Sequence, residues 1–284
     1  MNQHTLHIGF EGNQVTVHSK VTKVLVAIKR DFQKMLEFEP KRIVGQLKVV
    51  QKNADYWILG GNEGSFKTDS LPNALEYIRY ELVLCLVQSR PELLWFHAGA
   101  VAYRGGAVMI SGLSGRGKST LVTTLCANGW TYLSDDIVPL DPNSGKVIPF
   151  PQTPWVRENS GEELSPEGVQ KLSKTEVNLR PEAVCRDVVP INAIVFPTYS
   201  LNAKTKIIPC SPATAALELL QNCQNFIIHR QAAVRYICEL VQTLPAFSLC
   251  FSQNNLATEM ISRTYEKIYF SENLNQMGKI DLWL

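Results

Sequence analysis

Residues 112–120 carry the clearest chemical signal in the chain. They read Gly112-Leu113-Ser114-Gly115-Arg116-Gly117-Lys118-Ser119-Thr120 and match G-x-x-x-x-G-K-[ST], the pattern of phosphate-binding loops. Glycines let such a loop curl until several backbone N–H groups point at one place, where phosphates can bind. The Lys118 side chain is long enough to reach the outer phosphates, and the Ser119 hydroxyl suits Mg²⁺. We therefore predict that this loop binds the phosphates of a nucleotide, with Mg²⁺ as cofactor.

Two adjacent carboxylates form a second candidate feature. Asp135 and Asp136 follow the short predicted strand 130–133, which is preceded by the helical stretch 121–127. A helix of about ten residues runs ~15 Å away from the loop, and a strand of about five residues returns ~16 Å. The two carboxylates should therefore lie level with the phosphates, where they can hold Mg²⁺ and accept a proton from an attacking hydroxyl. We choose Asp135 as the base, although the residues alone do not decide between the two.

His97 is the third candidate. A hairpin turn at Gly105 joins the strand that contains His97 to the strand that enters the loop. Depending on the turn, His97 faces Leu113 or Ser114, and either register sets it beside the outer phosphates. There it would orient Asp135, whereas a core histidine bonded to the backbone is the alternative that hairpin geometry leaves open.

Arginine is the remaining residue type expected near a transferred phosphoryl group. Arg157 and Arg180 lie near the two ends of the polar, proline-punctuated stretch 150–182 and rank first among the arginines. None of the histidines has the spacing of a zinc site.

The elements around these residues indicate an α/β protein in several parts. Residues 1–68 form a small β-rich unit, with strands at 5–10, 14–18, 42–50 and 56–59, a helix at 29–38, and glycines at 60–64 that end its strands. Residues 69–90 are a connecting helix, capped by Ser70 and with an apolar stripe through Leu75 and Leu82. Residues 91–271 form the nucleotide-binding domain, and residues 272–284 a tail.

Composition narrows the function classes. The chain has 284 residues, a net charge of +2 and seven scattered cysteines. We therefore expect no nucleic-acid partner, no membrane partner and free thiols in a cytoplasmic protein without a signal peptide.

Together these residues resemble the HPr kinase/phosphorylase superfamily. The shared pieces are Phe96–Gly99, Ile110–Ser119 and Leu133–Asp136, with a short interval between the loop lysine and the paired aspartates. The resemblance covers about residues 94–251. It implies a P-loop kinase core of the HPr-kinase/PEP-carboxykinase type, with a mixed sheet and flanking helices.

The resemblance also implies roles for individual residues. Residues 112–120 would bind phosphates, Ser119 and the aspartate pair would hold Mg²⁺, and Asp135 would be the general base with His97 near it. The glycine-rich signature that follows the aspartates in HPr kinases is absent between Asp141 and Pro190. The chain thus looks closer to shorter HPr-kinase-like proteins, some of which phosphorylate a serine of a lasso-type precursor peptide, and residues 1–68 would then recognise the substrate.

Three functions remain open from the sequence. The first is an ATP-dependent kinase of a serine in a peptide or small protein, the second a kinase of a small metabolite, and the third a non-catalytic nucleotide sensor. The chain lacks the Asn-Lys-x-Asp motif of GTPases and the Leu-Ser-Gly-Gly-Gln signature of transporter ATPases. Assembly into homo-oligomers is left open.

Overall fold

The protein is a mixed α/β structure with two main sheets and flanking helices. The computed structural model describes residues 4–39, 41–157 and 173–280. No helix in those ranges is both long enough and apolar enough to span a bilayer.

The N-terminal sheet has the strand order β1-β2-β3-β4-β5. Its strands are β1 (Thr5–Phe10), β2 (Asn13–Ser19), β3 (Arg42–Lys52), β4 (Asp55–Gly61) and β5 (Gly64–Thr68). β2 and β3 are parallel because helix α1 (Thr22–Asp31) crosses between them, and the other neighbours are antiparallel. The predicted helix at 29–38 is wrong in position, since the apolar run Val24–Ile28 supplies the buried face of α1. β5 is a strand that the sequence reading missed.

Helix α2 (Leu71–Gln88) begins where the sequence predicts. The Ser70 hydroxyl accepts a hydrogen bond from the backbone N–H of Asn73, which satisfies one of the free donors of the first turn. Its apolar stripe, including Ile78 and Leu82, is fully buried in the same core as the N-terminal sheet. The helix therefore packs on the N-terminal sheet along its length.

The second sheet has the strand order β16-β14-β8-β7-β9 at its centre, and it continues from β14 through β11 and β10 to β6. Its strands are β6 (Leu94–Phe96), β7 (Ala98–Tyr103), β8 (Gly106–Ser111), β9 (Thr131–Ser134), β10 (Val138–Asp141), β11 (Lys146–Val147), β14 (Val189–Tyr199), β15 (Lys206–Pro209) and β16 (Ala246–Phe251). β12 (Trp155–Arg157) and β13 (Lys174–Glu176) form a separate two-stranded antiparallel sheet.

The remaining helices flank the second sheet. They are α3 (Lys118–Ala127), α4 (Pro212–Gln221), α5 (Phe226–His229), α6 (Gln231–Thr243) and α7 (Asn254–Ile280). Helix α7 continues past residue 272, so the predicted tail is helical up to Ile280.

An apolar contact joins the N-terminal sheet to the rest of the protein. Phe10 of β1 packs against Trp95 of β6 and against Phe150, which follows β11, with ring centroids 5.4 and 5.0 Å away. All three rings are buried, and they belong to the core that also contains α2. This contact fixes the N-terminal sheet and α2 against the domain that contains the glycine-rich loop.

Candidate functional site

The glycine-rich loop, residues 112–117, leaves the end of β8 and leads directly into α3. Gly112, Gly115 and Gly117 have φ angles of +153°, +85° and +87°, which side-chain-bearing residues rarely adopt. At Gly117 a Cβ atom would also lie 2.9 Å from Cζ of the buried Phe251. Local backbone freedom and a close neighbour both require glycine here, and the loop ends at the N-terminus of a helix, where the backbone N–H groups favour an anion.

Lys118 is the buried cation of the loop. Its Nζ donates hydrogen bonds to the carbonyl oxygens of Gly112, at 2.6 Å, and Leu113, at 3.0 Å. Burial lowers the pKa of Lys118 to about 8, although the charges of Asp135 and Asp136 act in the opposite direction. An ammonium group held this way gains an additional stabilising partner when an anion enters the loop.

His97 is the single residue between β6 and β7, and the chain changes its neighbouring strands at this position. Its backbone N–H donates to the Asn222 carbonyl oxygen at 2.7 Å. Its Nδ1 lies 3.0 Å from the carbonyl oxygen and 3.2 Å from Oδ1 of Asp136, and its Nε2 lies 3.1 Å from Lys118 Nζ. These partners assign the proton to Nδ1 and leave Nε2 to accept from the lysine.

The predicted contacts of His97 are corrected in two respects. The hairpin turn is Arg104-Gly105, with φ angles of +50° and +82°, so Tyr103 pairs with Gly106 and Ala98 with Ser111. His97 is therefore level with Gly112, and both predicted registers, to Leu113 and to Ser114, are wrong. Its carboxylate partner in the described structure is Asp136 rather than Asp135.

Asp135 is a buried carboxylate at the end of β9. Within the described residues its Oδ1 has no hydrogen-bond partner. Burial, followed by the charge of Asp136, raises the pKa of Asp135 from 3.8 to about 6, against a hydrogen bond from the Ser119 side chain. The carboxylate approaches closely because residue 99 is a glycine, whose Cβ would lie 3.4 Å from Asp135 Oδ1 and 2.4 Å from Val122 Cγ2.

Asp136 differs from Asp135 in exposure and in pKa. Its backbone φ angle is +72°, and its side chain is largely exposed. Hydrogen bonding to His97 holds the pKa of Asp136 below its ordinary value. The preceding Ser134 fixes the turn, since its buried hydroxyl donates to the Phe150 carbonyl oxygen at 2.9 Å. The two neighbouring carboxyl groups thus have opposite pKa shifts.

Of the two arginines that the sequence singles out, only Arg157 reaches the site. Its guanidinium lies 3.4 Å from the Ser114 hydroxyl, and its Nε is buried without a hydrogen-bond partner in the described part of the chain. Arg180 is exposed and pairs with Glu182 at 3.7 Å, away from the described residues that line the cleft. Arg116 of the loop points elsewhere, to Glu218 at 3.4 Å.

One cleft of about 1260 Å³ is lined by His97, Lys118, Asp135, Asp136 and Arg157, together with Ser114, Ser119 and Thr120 of the loop. Residues that the sequence reading missed form its far wall. One face of α2 contributes the cleft residues Glu76, Arg79, Tyr80, Val83, Leu84 and Val87. Their spacing of three and four residues is a signal that the sequence contains, because it sets them together on one side of the helix, beside the apolar stripe.

Cation–π contacts hold β12, the strand that contains Arg157, against the N-terminal unit. The Trp155 ring lies 4.8 Å from the Arg30 guanidinium and 5.8 Å from that of Arg79. Thr153 adds two hydrogen bonds, from its N–H to the Asp31 carbonyl oxygen and from its hydroxyl to the Arg30 carbonyl oxygen. Arg157 is therefore positioned by elements on both sides of the cleft.

The donor set fits a magnesium ion that is completed by phosphate oxygens. Among the residues that the structure describes, no group of three or more His, Cys, Asp or Glu side chains forms a metal cluster. Mg²⁺ in nucleotide sites uses one or two carboxylates together with substrate phosphates and water. The unpartnered buried oxygen of Asp135 beside Ser119 has the chemistry of such a partial set.

Comparisons with known proteins identify no family for the chain. No family model matches it, and no curated protein does. A solved structure, the Hpr(Ser) kinase/phosphatase from Coxiella burnetii, aligns with 64% of this chain and 97% of its own length, at 12% sequence identity and a TM-score of 0.35. A TM-score this low supports no transfer of activity, so the function must be argued from the site itself.

Proposed function

We propose that the chain is a phosphotransferase that moves the γ-phosphate of ATP to a serine hydroxyl of a peptide or small protein. The observation that carries the proposal is the convergence of Lys118, His97, Asp135 and Asp136 on one glycine-rich loop at the start of a helix. A non-catalytic sensor has no need of a buried carboxylate with a raised pKa at this place. Phosphoryl transfer requires groups that bind the phosphates and a base for the acceptor hydroxyl. The glycine-rich loop, Lys118 and the pair of carboxylates together match these requirements.

The residues have distinct roles in the proposed reaction. Loop N–H groups and Lys118 bind the β- and γ-phosphates, and Arg157 approaches the γ-phosphate from the Ser114 side. Asp135 takes the proton of the acceptor hydroxyl while the oxygen of that hydroxyl forms a bond to the γ-phosphorus. The bond from the γ-phosphorus to the β,γ-bridging oxygen breaks at the same time, which releases ADP. A pKa of about 6 suits this role because the carboxylate is ionised near neutral pH and still basic.

Ser119, Asp136 and the free oxygen of Asp135 are the residues that would hold Mg²⁺. When bound, Mg²⁺ supplies charge neutralisation on the phosphate oxygens. His97 keeps Asp136 and Lys118 in place with one hydrogen bond to each. Lysine and imidazole thus form a fixed pair before any phosphate arrives.

The α2 wall supports a polypeptide acceptor over a small metabolite. From Glu76 to Val87 the wall runs ~17 Å along the helix, which accommodates about five residues of extended chain. Its mixed lining, with Tyr80, Val83 and Leu84 beside charged groups, suits a chain with side chains of several types.

Labelled ATP tests the proposal directly. We expect the protein, with [γ-³²P]ATP and Mg²⁺, to label a peptide or small protein in a total cell lysate, and mass spectrometry to locate phosphoserine in it. Asp135→Asn should abolish the label. Label in free amino acids or sugars instead would favour a metabolite kinase. Tight ATP binding with no transfer to any lysate component would favour the sensor.

A further inference from the structure

The glycine-rich loop has two different flanks in the sheet. β7 and β9 lie on one side of β8 and carry His97 and the aspartate pair at the loop's level. On the other side β14 runs parallel to β8, with Val195 paired to Ile110, and β16 runs parallel to β14. The carboxyl ends of β8, β14 and β16 therefore meet at the same edge.

The β14 flank contributes its own group of cleft residues. Tyr199, Ser200 and Leu201 follow the end of β14, Asn254 follows β16, and all four line the same cleft as the loop. Tyr199 is adjacent to the loop, because its Cβ lies 3.7 Å from the position of a Cβ on Gly117. None of these residues has a part in the reaction as proposed above.

Hydrogen bonds and ring packing hold this group in a fixed position. The Ser200 N–H donates to the Phe251 carbonyl oxygen at 2.9 Å, and the Ser252 hydroxyl donates to the Ala203 carbonyl oxygen at 2.8 Å. The Tyr199 ring packs edge-on against Phe251, with centroids 5.6 Å apart. The segment after β14 is thus tied to the end of β16, and it presents a preformed surface to the cleft.

The direction of a bound triphosphate follows from the two flanks. Lys118, His97 and the aspartate pair fix the γ-phosphate end on the β7 flank, and the acceptor must approach from beyond that end, in line with the bond that breaks. The nucleoside must then extend the opposite way. We propose that Tyr199, Leu201 and Asn254 bind the nucleoside of the triphosphate, an inference that rests on the proposed function.

The chemistry of these three residues fits a nucleobase. Tyr199 and Leu201 offer apolar surface to a flat ring, and the Asn254 amide can both donate and accept hydrogen bonds at its edge. The α2 wall is left to the acceptor. The cleft thus has two arms, one lined by Tyr199, Leu201 and Asn254 and the other by the α2 wall. Each arm receives one substrate, and the two substrates meet at the γ-phosphate.

Calorimetric binding of two probes separates the nucleoside site from the phosphate site. The probes are Mg·ATP and Mg·tripolyphosphate, which share the phosphate chain and differ in the nucleoside. We expect Leu201→Gln and Asn254→Ala each to weaken ATP binding at least fivefold while tripolyphosphate affinity changes less than twofold. Leu84→Gln is the matched control, since Leu84 is also half-buried and lines the opposite arm. It should leave the affinities for both probes unchanged.

Each contrary result has its own meaning. If Leu201→Gln and Asn254→Ala bind ATP as the unmodified protein does, or if Leu84→Gln alone selectively loses ATP, the nucleoside lies elsewhere and this inference is wrong while the proposed function stands. If the unmodified protein binds neither probe, the proposed function fails and this inference fails with it. Circular dichroism of each variant checks that the fold is retained.

Discussion

His97 Nε2 lies 3.1 Å from the Lys118 ammonium, while the opposite ring nitrogen holds Asp136. A single imidazole thereby joins the glycine-rich loop to the turn after β9, two segments that are 21 and 39 residues away from it in sequence. The lysine points toward loop carbonyls as well as the ring. Its position is therefore set by backbone and side chain together.

Replacing His97 should slow transfer more than it weakens nucleotide binding. His97→Ala removes the acceptor for Lys118 and the donor to Asp136, and small displacements of such groups cost on the order of 100-fold in rate. We expect kcat to fall by about that factor and the KM for ATP to change by less than about threefold. His97→Gln keeps a donor and an acceptor and should recover part of the rate. Equal activity of the alanine variant and the unmodified protein would remove His97 from the site.

The raised pKa of Asp135 predicts a pH-dependent cost to the fold. Below pH 3.8 both folded and unfolded chains keep the proton, whereas between 3.8 and about 6 only the folded chain keeps it. The free energy of unfolding should therefore fall by up to about 3 kcal/mol across this window, and stay lower above it. Asp135→Asn, measured by thermal unfolding in EDTA at pH 7.5, should raise Tm while transfer is lost.

Asp136→Asn is the matched control for that measurement. Its pKa is lowered by His97, so the ionised carboxylate stabilises the fold above its unfolded pKa, and this contribution is lost as the pH falls through the lower folded value. The variant should thus lower Tm at pH 7.5. A rise in Tm for both variants, or for neither, contradicts the opposite pKa shifts of the two residues.

Alanine substitutions of Arg157 and Arg180 should have clearly different effects on kcat. Arg157 touches Ser114 and has a buried, unpartnered Nε in the described structure, whereas Arg180 is exposed and pairs with Glu182. Arg157→Ala should lower kcat on the order of 100-fold, because the charge that stabilises the transferred phosphoryl group is lost. Arg180→Ala should stay within about twofold of the unmodified protein. Initial rates at saturating ATP make the comparison, and equal losses would show that the cleft geometry does not matter.

Gly117 should tolerate a methyl group less well than Gly129. Both have similar positive φ angles, +87° and +91°, so the backbone cost of alanine is alike. Only at Gly117 does the new Cβ meet Phe251, at 2.9 Å, whereas no described atom lies within 4 Å of that position at Gly129. Gly117→Ala should be less stable than Gly129→Ala by about 1 kcal/mol or more and should lose ATP binding. Chemical denaturation of both variants measures the difference, and identical losses would contradict the Phe251 contact.

The sequence correctly predicted the features that depend on residues close together in the chain. The strand before the loop, the helix after it and the Ser70 cap of α2 all lie as predicted. Each depends on residues within a few positions of one another, such as a glycine that admits positive φ or a hydroxyl that reaches the third residue of a helix. The placement of the carboxylate pair beside the loop also followed from the lengths of one helix and one strand.

Long-range packing decided the rest. The turn at Arg104-Gly105 shifted the hairpin register, and Asp136 rather than Asp135 became the partner of His97. Arg157 lies in the cleft because the neighbouring Trp155 packs against cations from two distant segments, whereas Arg180 is exposed and pairs with Glu182. The helix predicted as a connector became the wall of the cleft. These outcomes depend on contacts between residues far apart in the chain, whose energies come from burial and geometry that only the folded structure brings together.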